Sequence, residues 1–241
     1  MSSTTARNGR LGNQIIRNLA TSMIAEKNDL YVDYSSAKSM IELGLQLFSG
    51  NRRHPSTIEL TDDNFFSIYD AEVKSNVNPN NNFFQTKEIM KFLYSYLHSD
   101  PVKTRIISAN PFKVRYNANN DACVHIRLTD VASKNPGLGY YLPLLSSIKF
   151  DKLYIATDDR HHSIIQTILK LYPSASIVTY NEVQTIQFAS TCKHILLSHG
   201  SFSAIMGYFA FYSDIHYPSY DPSRIWYGDM FSIEGWNKHA Y

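Results

Sequence analysis

The sequence has few cysteines and no long apolar segment. Cys123 and Cys192 are the only cysteines among 241 residues. Both lie in apolar stretches, so we expect buried free thiols rather than a disulfide, which suits a reducing compartment. No run of 18 apolar residues occurs, and the first residues lack the apolar segment of a signal peptide. These absences predict a soluble, cytoplasmic protein with no membrane span.

The sequence also lacks an excess of charge and any metal-binding motif. Lys and Arg number 23 against 21 Asp and Glu, for a net charge of +2, and the charges are scattered. A broad basic surface for nucleic acid is therefore not expected. No cysteines and histidines stand at zinc spacing, and no Asp-x-Asp pair follows a predicted strand. We expect neither nucleic acid nor a metal as a partner, and the oligomeric state is open.

Strands alternate with helices in the second half of the chain. Apolar runs at 122–124, 152–157, 175–180 and 194–198 predict strands, and helical periodicity separates them before a last helix that opens at Ser201. This alternation is typical of a doubly wound α/β fold with a mostly parallel sheet. The polar segment 117–120 is the best candidate for a hinge, which divides the chain into residues 1–116 and 117–241.

The first half opens with a glycine-containing turn over residues 7–14, which leads into an amphipathic helix. A strand at 30–34, a short helix at 40–48 and a helix ending near residue 98 follow, while residues 50–82 look irregular. A loop that enters a helix N-terminus offers free N–H groups to an anion. The spacing of Gly9 and Gly12 alone favours an ordinary strand–helix turn, because it matches neither a dinucleotide fingerprint nor a P-loop.

Polar side chains follow three of the predicted strands in the second half. Because ligands of open α/β sheets bind outside the carboxyl ends of the strands, we expect these groups to meet in one crevice. An arginine and a serine-rich helix N-terminus suit a diphosphate, and a carboxylate can accept both edge N–H groups of guanine. One acid of the pair can cap the next helix, which leaves the other free. A local ion pair of Arg127 with Asp130 is the alternative explanation of the first group. The three groups are His125, Arg127 and Asp130; Asp158 and Asp159; and residues 198–203.

Five short motifs, in order, resemble those of the α-1,2-fucosyltransferases and the related α-1,6- and protein O-fucosyltransferases. The resemblance extends from Gly9 to about Trp236 and is weakest over residues 50–115. The motifs are Gly-Arg-Leu-Gly-Asn-Gln at 9–14, His-Ile-Arg-Leu-Thr-Asp at 125–130, Ala-Thr-Asp-Asp at 156–159, Ser-Phe-Ser at 201–203, and Asp-Met-Phe-Ser-Ile-Glu-Gly-Trp at 229–236.

This resemblance implies a GT-B-like enzyme with two Rossmann-like halves that face each other across a cleft. Residues 1–116 would form the acceptor side, and residues 117–241 would bind the nucleotide sugar. Such enzymes transfer L-fucose from GDP-fucose with inversion and without a metal or another cofactor. The acceptor implied by the α-1,2 group is a galactose-type hydroxyl of a glycan.

The resemblance also assigns roles to individual residues. Arg127 would hold the β-phosphate, and His125 would lie against the nucleoside. Asp130 would act as a weak base or orient Arg127. The remaining donor-site residues would be Asp158 or Asp159 at guanine, Ser201, Phe202 and Ser203 at the diphosphate, and Gly12 and Asn13 at the sugar from the opposite half.

The chain departs from the family pattern in three ways. Leu128 stands where bacterial members usually carry a second arginine, and no glutamate closely follows Asp130 to match the base of the α-1,6 branch. The first residues are too polar for a good leading strand, so we expect a short first strand or a chain that starts late. Two other functions therefore remain open. One is a non-catalytic protein that binds a nucleotide sugar or a glycan, and the other is a transferase that uses a different sugar donor.

Overall fold

The computed structural model describes residues 2–130, 132–223, 225 and 227–241. Packing divides the chain into two compact units, Met1–Ala109 and Asn110–Tyr241. Every named strand pair in both units is parallel. The predicted α/β class with parallel sheets is confirmed.

The first unit contains two small parallel sheets and five helices. Strand β1 (Ser3–Thr5) pairs with β2 (Val32–Tyr34), and β3 (Thr57–Glu59) pairs with β4 (Asn76–Asn78). The helices are α1 (Leu11–Asn28), α2 (Ala37–Glu42), α3 (Phe65–Asp70), α4 (Lys87–Leu97) and α5 (Asp100–Ala109). The prediction of an irregular segment at 50–82 is wrong, because β3, α3 and β4 lie within it. These elements have only three to six residues each, too few to show a clear period.

Strand β1 forms although its residues are polar. Ser3 and Thr5 are buried, and each hydroxyl has a partner. The Ser3 hydroxyl accepts the N–H of Val77 at 3.0 Å, and the Thr5 hydroxyl donates to the amide oxygen of Asn18 at 2.6 Å. Hydrogen bonds thus offset the cost of burying these polar side chains.

Helix α1 carries a buried arginine that ties three segments together. Arg17 is 1% exposed, and its guanidinium donates to the carbonyls of Ala6 at 3.2 Å and Asn80 at 2.7 Å. It also lies 5.8 Å from the centre of the Phe83 ring. Because these partners belong to separate loops, Arg17 fixes the turn that precedes α1 against residues 80–83.

The second unit contains one six-stranded parallel sheet. Its strands are β5 (Ala122–Ile126), β6 (Leu153–Thr157), β7 (Ser176–Ile177), β8 (His194–Leu196), β9 (Asp214–Pro218) and β10 (Asn237–His239), in the order β10-β9-β8-β5-β6-β7. The helices are α6 (Leu138–Ser147), α7 (Ser163–Leu171), α8 (Glu182–Ala189) and α9 (Ser201–Tyr208), with short 3₁₀ turns at Lys113–Arg115 and Ala132–Lys134. The four predicted strands are present, and β7 is shorter than predicted.

The order of strands places a topological switch beside β5. The chain adds β6 and β7 on one side of β5, then returns to add β8, β9 and β10 on the other. Such a reversal opens a crevice at the carboxyl ends of the two strands that flank it, here β5 and β8. The core beneath is apolar and includes Val124, Ile155 and Leu196. The fold therefore marks one edge of this sheet as the place for a ligand.

Residues 110–121 belong to the second unit by their contacts. The Asn110 amide donates to the carbonyl of Gln187 at 2.8 Å, and the Asn119 amide donates to the carbonyl of Thr191 at 2.9 Å. The break between the units therefore precedes the predicted boundary at 116/117 by a few residues. Among the described residues, no helix has both the length and the apolar character needed to cross a bilayer.

An ion pair fixes the entry to β5 and yields the first prediction. Arg115 donates to the carboxylate of Asp121 at 2.8 Å and to the Thr191 hydroxyl at 3.1 Å, and Asp121 is 5% exposed. Arg115→Ala should lower the free energy of unfolding by about 3 kcal/mol, because it leaves the buried carboxylate without its cation. Chemical denaturation measures the change. Lys113→Ala removes an exposed cation nearby and should cost under about 0.5 kcal/mol. Equal losses in the two variants would contradict this role.

Candidate functional site

His125, at the end of β5, is held by two serines that follow β8. The His125 ring is 6% exposed, and its Nδ1 lies 2.9 Å from the Ser203 hydroxyl and 3.2 Å from the Ser198 hydroxyl. The Ser203 oxygen also accepts the backbone N–H of Ser198 at 2.8 Å. This arrangement favours donation of the Ser203 proton to Nδ1, which leaves the ring proton on Nε2. The two strand ends that flank the switch are thus joined through His125.

The surroundings of His125 keep its ring uncharged. Burial lowers the pKa of His125 to about 4, with the nearby Arg127 acting in the same direction and Asp158 opposing it. The ring lies 5.3 Å from that of Phe202, which is half-buried in the first turn of α9. A neutral imidazole beside an aromatic ring provides a hydrogen-bonding group with an apolar wall, a combination suited to a nucleoside.

Arg127 extends from the same strand end and is oriented by Asp130. Its Nε and Nη2 donate to the two carboxylate oxygens of Asp130 at 3.0 and 2.6 Å. The side chain of Arg127 is 15% exposed and that of Asp130 is 43% exposed. The local ion pair expected as the alternative therefore exists. It uses one edge of the guanidinium, and Nη1 has no hydrogen bond to any residue that the structure describes.

Gly200 makes room for Arg127 at the start of α9. A Cβ on Gly200 would lie 2.8 Å from Nη1 of Arg127, and the φ angle of Gly200 is +102°. The backbone angle thus favours glycine at this position, and a Cβ here would displace the guanidinium. Gly200 is also the N-cap residue of α9 and provides no side-chain cap, while its own N–H donates to the Tyr227 hydroxyl at 2.9 Å. The guanidinium therefore lies against the positive end of a helix, a combination that suits an anion.

The serines of α9 differ in which of their groups are available to donate a hydrogen bond to an anion. Ser203 is fully buried, with its hydroxyl already bonded to His125 and to the N–H of Ser198. It can reach a diphosphate only through its backbone N–H. Ser201 and Phe202 lie in the first turn, where N–H groups have no partner within the helix.

The two acids after β6 make different hydrogen bonds, and neither is the N-cap of α7. Asp158 accepts the N–H of Leu128 at 2.7 Å and the Thr129 hydroxyl at 2.6 Å. Burial alone would raise the pKa of Asp158, but these hydrogen bonds hold it below its ordinary value. The prediction that one acid caps α7 is wrong, because the N-cap is His162, whose ring accepts the N–H of Ile164.

Asp159 keeps more of its carboxylate available than Asp158 does. Its Oδ1 accepts the N–H of His161 at 3.0 Å, and the residue is half-buried at the carboxyl end of β6. Asp158 holds the backbone after Arg127 with both of its oxygens. Of the two acids, Asp159 is therefore the one placed to accept hydrogen bonds from a base.

The segment that follows Arg127 is anchored on both sides. Leu128 is 3% exposed and packs in the apolar core, so the position that carries a second arginine in the resembling enzymes faces inward in this chain. The Asn135 amide donates to the carbonyl of Arg127 at 3.1 Å and to the Tyr141 hydroxyl at 3.1 Å. A cavity of about 360 Å³ adjoins this segment and is lined by residues 133–136 and by Ile225 and Tyr241.

The predicted residues of the first unit lie at the turn that enters α1. Gly12 is buried in the first turn of that helix, and the Asn13 amide oxygen accepts a hydrogen bond from Gln85 at 2.9 Å. A Cβ on Gly9, whose φ is +73°, would lie 2.3 Å from Nδ2 of Asn13. The Gln14 amide donates to the carbonyl of Gly9 at 2.8 Å. The turn is thus closely packed and holds Asn13 in a defined position.

Sequence reasoning included Ser198 and Gly200 in the polar group at 198–203 but assigned a role to neither, and it missed Tyr227. A glycine directly before a predicted helix N-terminus is a signal that could have been read. Tyr227 had no such signal, because its hydroxyl reaches the N–H of Gly200 from 27 residues further along the chain.

Comparisons with known proteins give structural likeness only. No family model matches the chain, and no curated protein matches it by sequence. Solved structures of POFUT1, a protein O-fucosyltransferase, are similar. The form in complex with GDP is 11% identical at a TM-score of 0.49, and covers 88% of this chain and 95% of the other. The GDP-fucose complex is 12% identical, with a TM-score of 0.47 and the same coverage. The function proposed below rests on the site residues and their motifs.

Burial of His125 predicts a dependence of stability on pH. Its pKa is about 4 in the folded chain and about 6.5 when unfolded, so the unfolded state binds the proton more readily. The contribution to stability is present above pH 6.5 and is lost as the pH falls toward 4. Between pH 7 and pH 5 the loss should be about 2 kcal/mol. His125→Gln should make the unfolding free energy less dependent on pH by that amount, measured by urea denaturation at several pH values.

The matched control is His161→Gln, which changes an exposed histidine beside the same crevice. His199 and His216, whose pKa values burial also lowers to about 4, should contribute to the pH dependence that remains in His125→Gln, together with His194 and His239, whose pKa values burial also lowers. An unchanged slope in His125→Gln would show that the ring is not kept neutral by its surroundings.

Proposed function

We propose that this chain is an inverting glycosyltransferase that transfers L-fucose from GDP-fucose to a hydroxyl of a glycan. The observation that supports it most is the position of Arg127, whose guanidinium packs on Gly200 at the start of α9. A cation and a helix N-terminus together suit a diphosphate. The topological switch of the parallel sheet supports the same location.

The donor would lie along the carboxyl edge of the sheet from β8 to β6. Nη1 of Arg127 would bind the β-phosphate, and the first N–H groups of α9 would bind the diphosphate. His125 and Phe202 would lie against the nucleoside, with Nε2 of the neutral imidazole as a donor. Asp159 would accept the N1–H and N2–H groups of guanine.

The reaction would be driven by charge stabilisation at the leaving group. As the glycosidic C–O bond breaks, negative charge develops on GDP, and a preoriented cation and helix dipole stabilise it more than they stabilise the ground state. Asp130 would orient Arg127 through its two oxygens, which makes it a positioning residue. The acceptor hydroxyl would attack C1 from the opposite face and lose its proton to a weak base or to water. No metal would be required.

The acceptor is proposed from the sequence motifs. The segment 229–236 resembles the closing segment of the α-1,2 group, which supports transfer to a galactose-type hydroxyl with α-1,2 linkage. Met230 and Phe231 of this segment are buried, and the Tyr208 hydroxyl donates to the carbonyl of Met230 at 2.8 Å. The segment therefore packs on α9, the helix that would bind the diphosphate.

A second function has one observation in its favour. Leu128 packs in the core, so the chain has a single arginine where the resembling bacterial enzymes carry two. A protein that binds a nucleotide sugar without turnover would tolerate this loss of positive charge. Formation of GDP from GDP-fucose in the presence of galactose-terminated glycans distinguishes the two functions. A transferase produces GDP under these conditions, whereas a binding protein produces none.

Variants of Arg127 test the chemical step. Arg127→Ala should lower kcat at least about 10²-fold, by analogy with the loss of one donor to a developing anion. Arg127→Lys should recover little, because a point charge does not replace a planar fork that packs on Gly200 and pairs with Asp130. The measurement is turnover of GDP-fucose, with the melting temperature of each variant. Arg53→Ala, which removes an arginine of the first unit, is the control. A large fall in melting temperature with near-normal turnover would assign Arg127 to folding instead.

Selectivity among nucleotides tests the assignment of Asp159. GDP should bind more tightly than UDP by about 1–3 kcal/mol, because uracil leaves the buried acceptors of the site unpaired. Asp159→Asn should remove most of this difference, whereas Asp151→Asn, at an exposed acid, should not. Calorimetry in buffer with EDTA gives the affinities. Tighter binding of UDP would exclude the guanine donor, and binding that requires added manganese would contradict a site without a metal.

A further inference from the structure

The first unit contains a cavity of about 490 Å³ that has no part in the proposed donor site. This volume lies within the range of pockets that bind small molecules. Its wall is mostly apolar and comes from α2, the segment that follows it, and the second half of α5. The lining residues are Tyr34, Ala37, Met40, Ile41, residues 44–47, Arg105 and Ala109.

The cavity has a defined backbone frame. Gly44 ends the turn after α2 with φ of +76°, and a Cβ there would lie 2.8 Å from the carbonyl oxygen of Arg105 and from Cα of Ile106. The prediction of a helix over 40–48 is wrong for this reason, since the chain turns at Gly44 to pack on α5. Met40 is buried, whereas Ile41 is 71% exposed. The turn at Gly44 is thus packed closely against α5, whereas the large apolar side chain of Ile41 is uncovered.

One wall of the cavity carries a cation that lacks an anionic partner. Nε of Arg105 is buried and has no hydrogen-bond partner, and no carboxylate among the described residues lies within 4 Å of its guanidinium. Its polar contact is the Tyr96 hydroxyl. Burial and the nearby Glu26 raise the pKa of Tyr96, so this hydroxyl stays neutral and does not balance the charge. A half-buried guanidinium with a buried, unpaired Nε beside an apolar wall can gain a charge-assisted hydrogen bond from an anionic ligand.

We propose that this cavity binds a small molecule with an apolar body and a single carboxylate. The apolar body would lie against Met40, Ile41 and Leu45, and the carboxylate would pair with Arg105. Guanidinium and carboxylate match in geometry and in charge, and the remaining wall is apolar. The cavity is lined by residues of the first unit alone. The proposal is therefore independent of nucleotide-sugar binding.

Decanoate, below the concentration at which it forms micelles, is the probe. Isothermal calorimetry on the full chain should show saturable binding of decanoate and binding of decanol at least tenfold weaker. Arg105→Gln should weaken decanoate at least tenfold and leave decanol unchanged. Lys103→Gln, which removes a cation of the same helix outside the cavity wall, should leave both affinities unchanged. GDP binding, measured in parallel, should be the same in all variants.

Three outcomes would overturn the proposal: no saturable binding of decanoate, equal affinities for decanoate and decanol, or an unaltered decanoate affinity in Arg105→Gln. A second variant, Ala109→Trp, fills the cavity from α5 without changing the charge. It should abolish binding of both probes, and retained binding in this variant would place decanoate elsewhere. Circular dichroism melts confirm that each variant is folded. If the unmodified chain did not bind GDP, that result would contradict the proposed transferase function and would not bear on the proposed carboxylate site.

Discussion

The parallel pairing of β5 with both β6 and β8 is the constraint on which the site depends. Because the chain reverses its direction of strand addition at β5, the loops after β5 and β8 diverge and leave a crevice between them. His125 closes the base of this crevice through hydrogen bonds to Ser198 and Ser203. Removal of this pairing would separate the imidazole and the guanidinium, which both follow β5, from the helix N-terminus at Ser201, which lies more distant in the chain.

Electrostatics at this crevice depend on a neutral histidine beside an arginine. Burial keeps His125 neutral, and Asp158 is held as a carboxylate by hydrogen bonds from Leu128 and Thr129. Arg127 lies against the start of α9, with Asp130 fixing one edge of its guanidinium. The neutral state of His125 matters because a charged histidine would repel Arg127. A cation and a helix dipole that act together suit an anion.

The first unit uses buried polar side chains for a similar purpose. Arg17 and Gln14 hold the backbone on either side of Gly9, and so fix the turn that carries Asn13. Each provides hydrogen bonds to carbonyl groups that a loop would otherwise leave to water. In both units, then, a candidate functional loop is rigid because interior side chains bond its backbone. Rigid placement is what a site that acts by orientation and charge requires.

The sequence by itself determined the α/β class, the strands of the second unit and the location of polar groups at strand ends. These features can be read from the sequence because periodicity and turn residues are local signals. Arg127, His125 and Ser201 could be identified from their places directly after apolar runs. Tertiary structure alone decided which carboxylate is available, since Asp158 bonds a loop 30 residues away, and that Leu128 faces the core. It also decided that Ser203 supports His125, that Tyr227 reaches Gly200, and that Arg105 lies beside an apolar cavity. These contacts join residues far apart in the chain, and no local pattern encodes them.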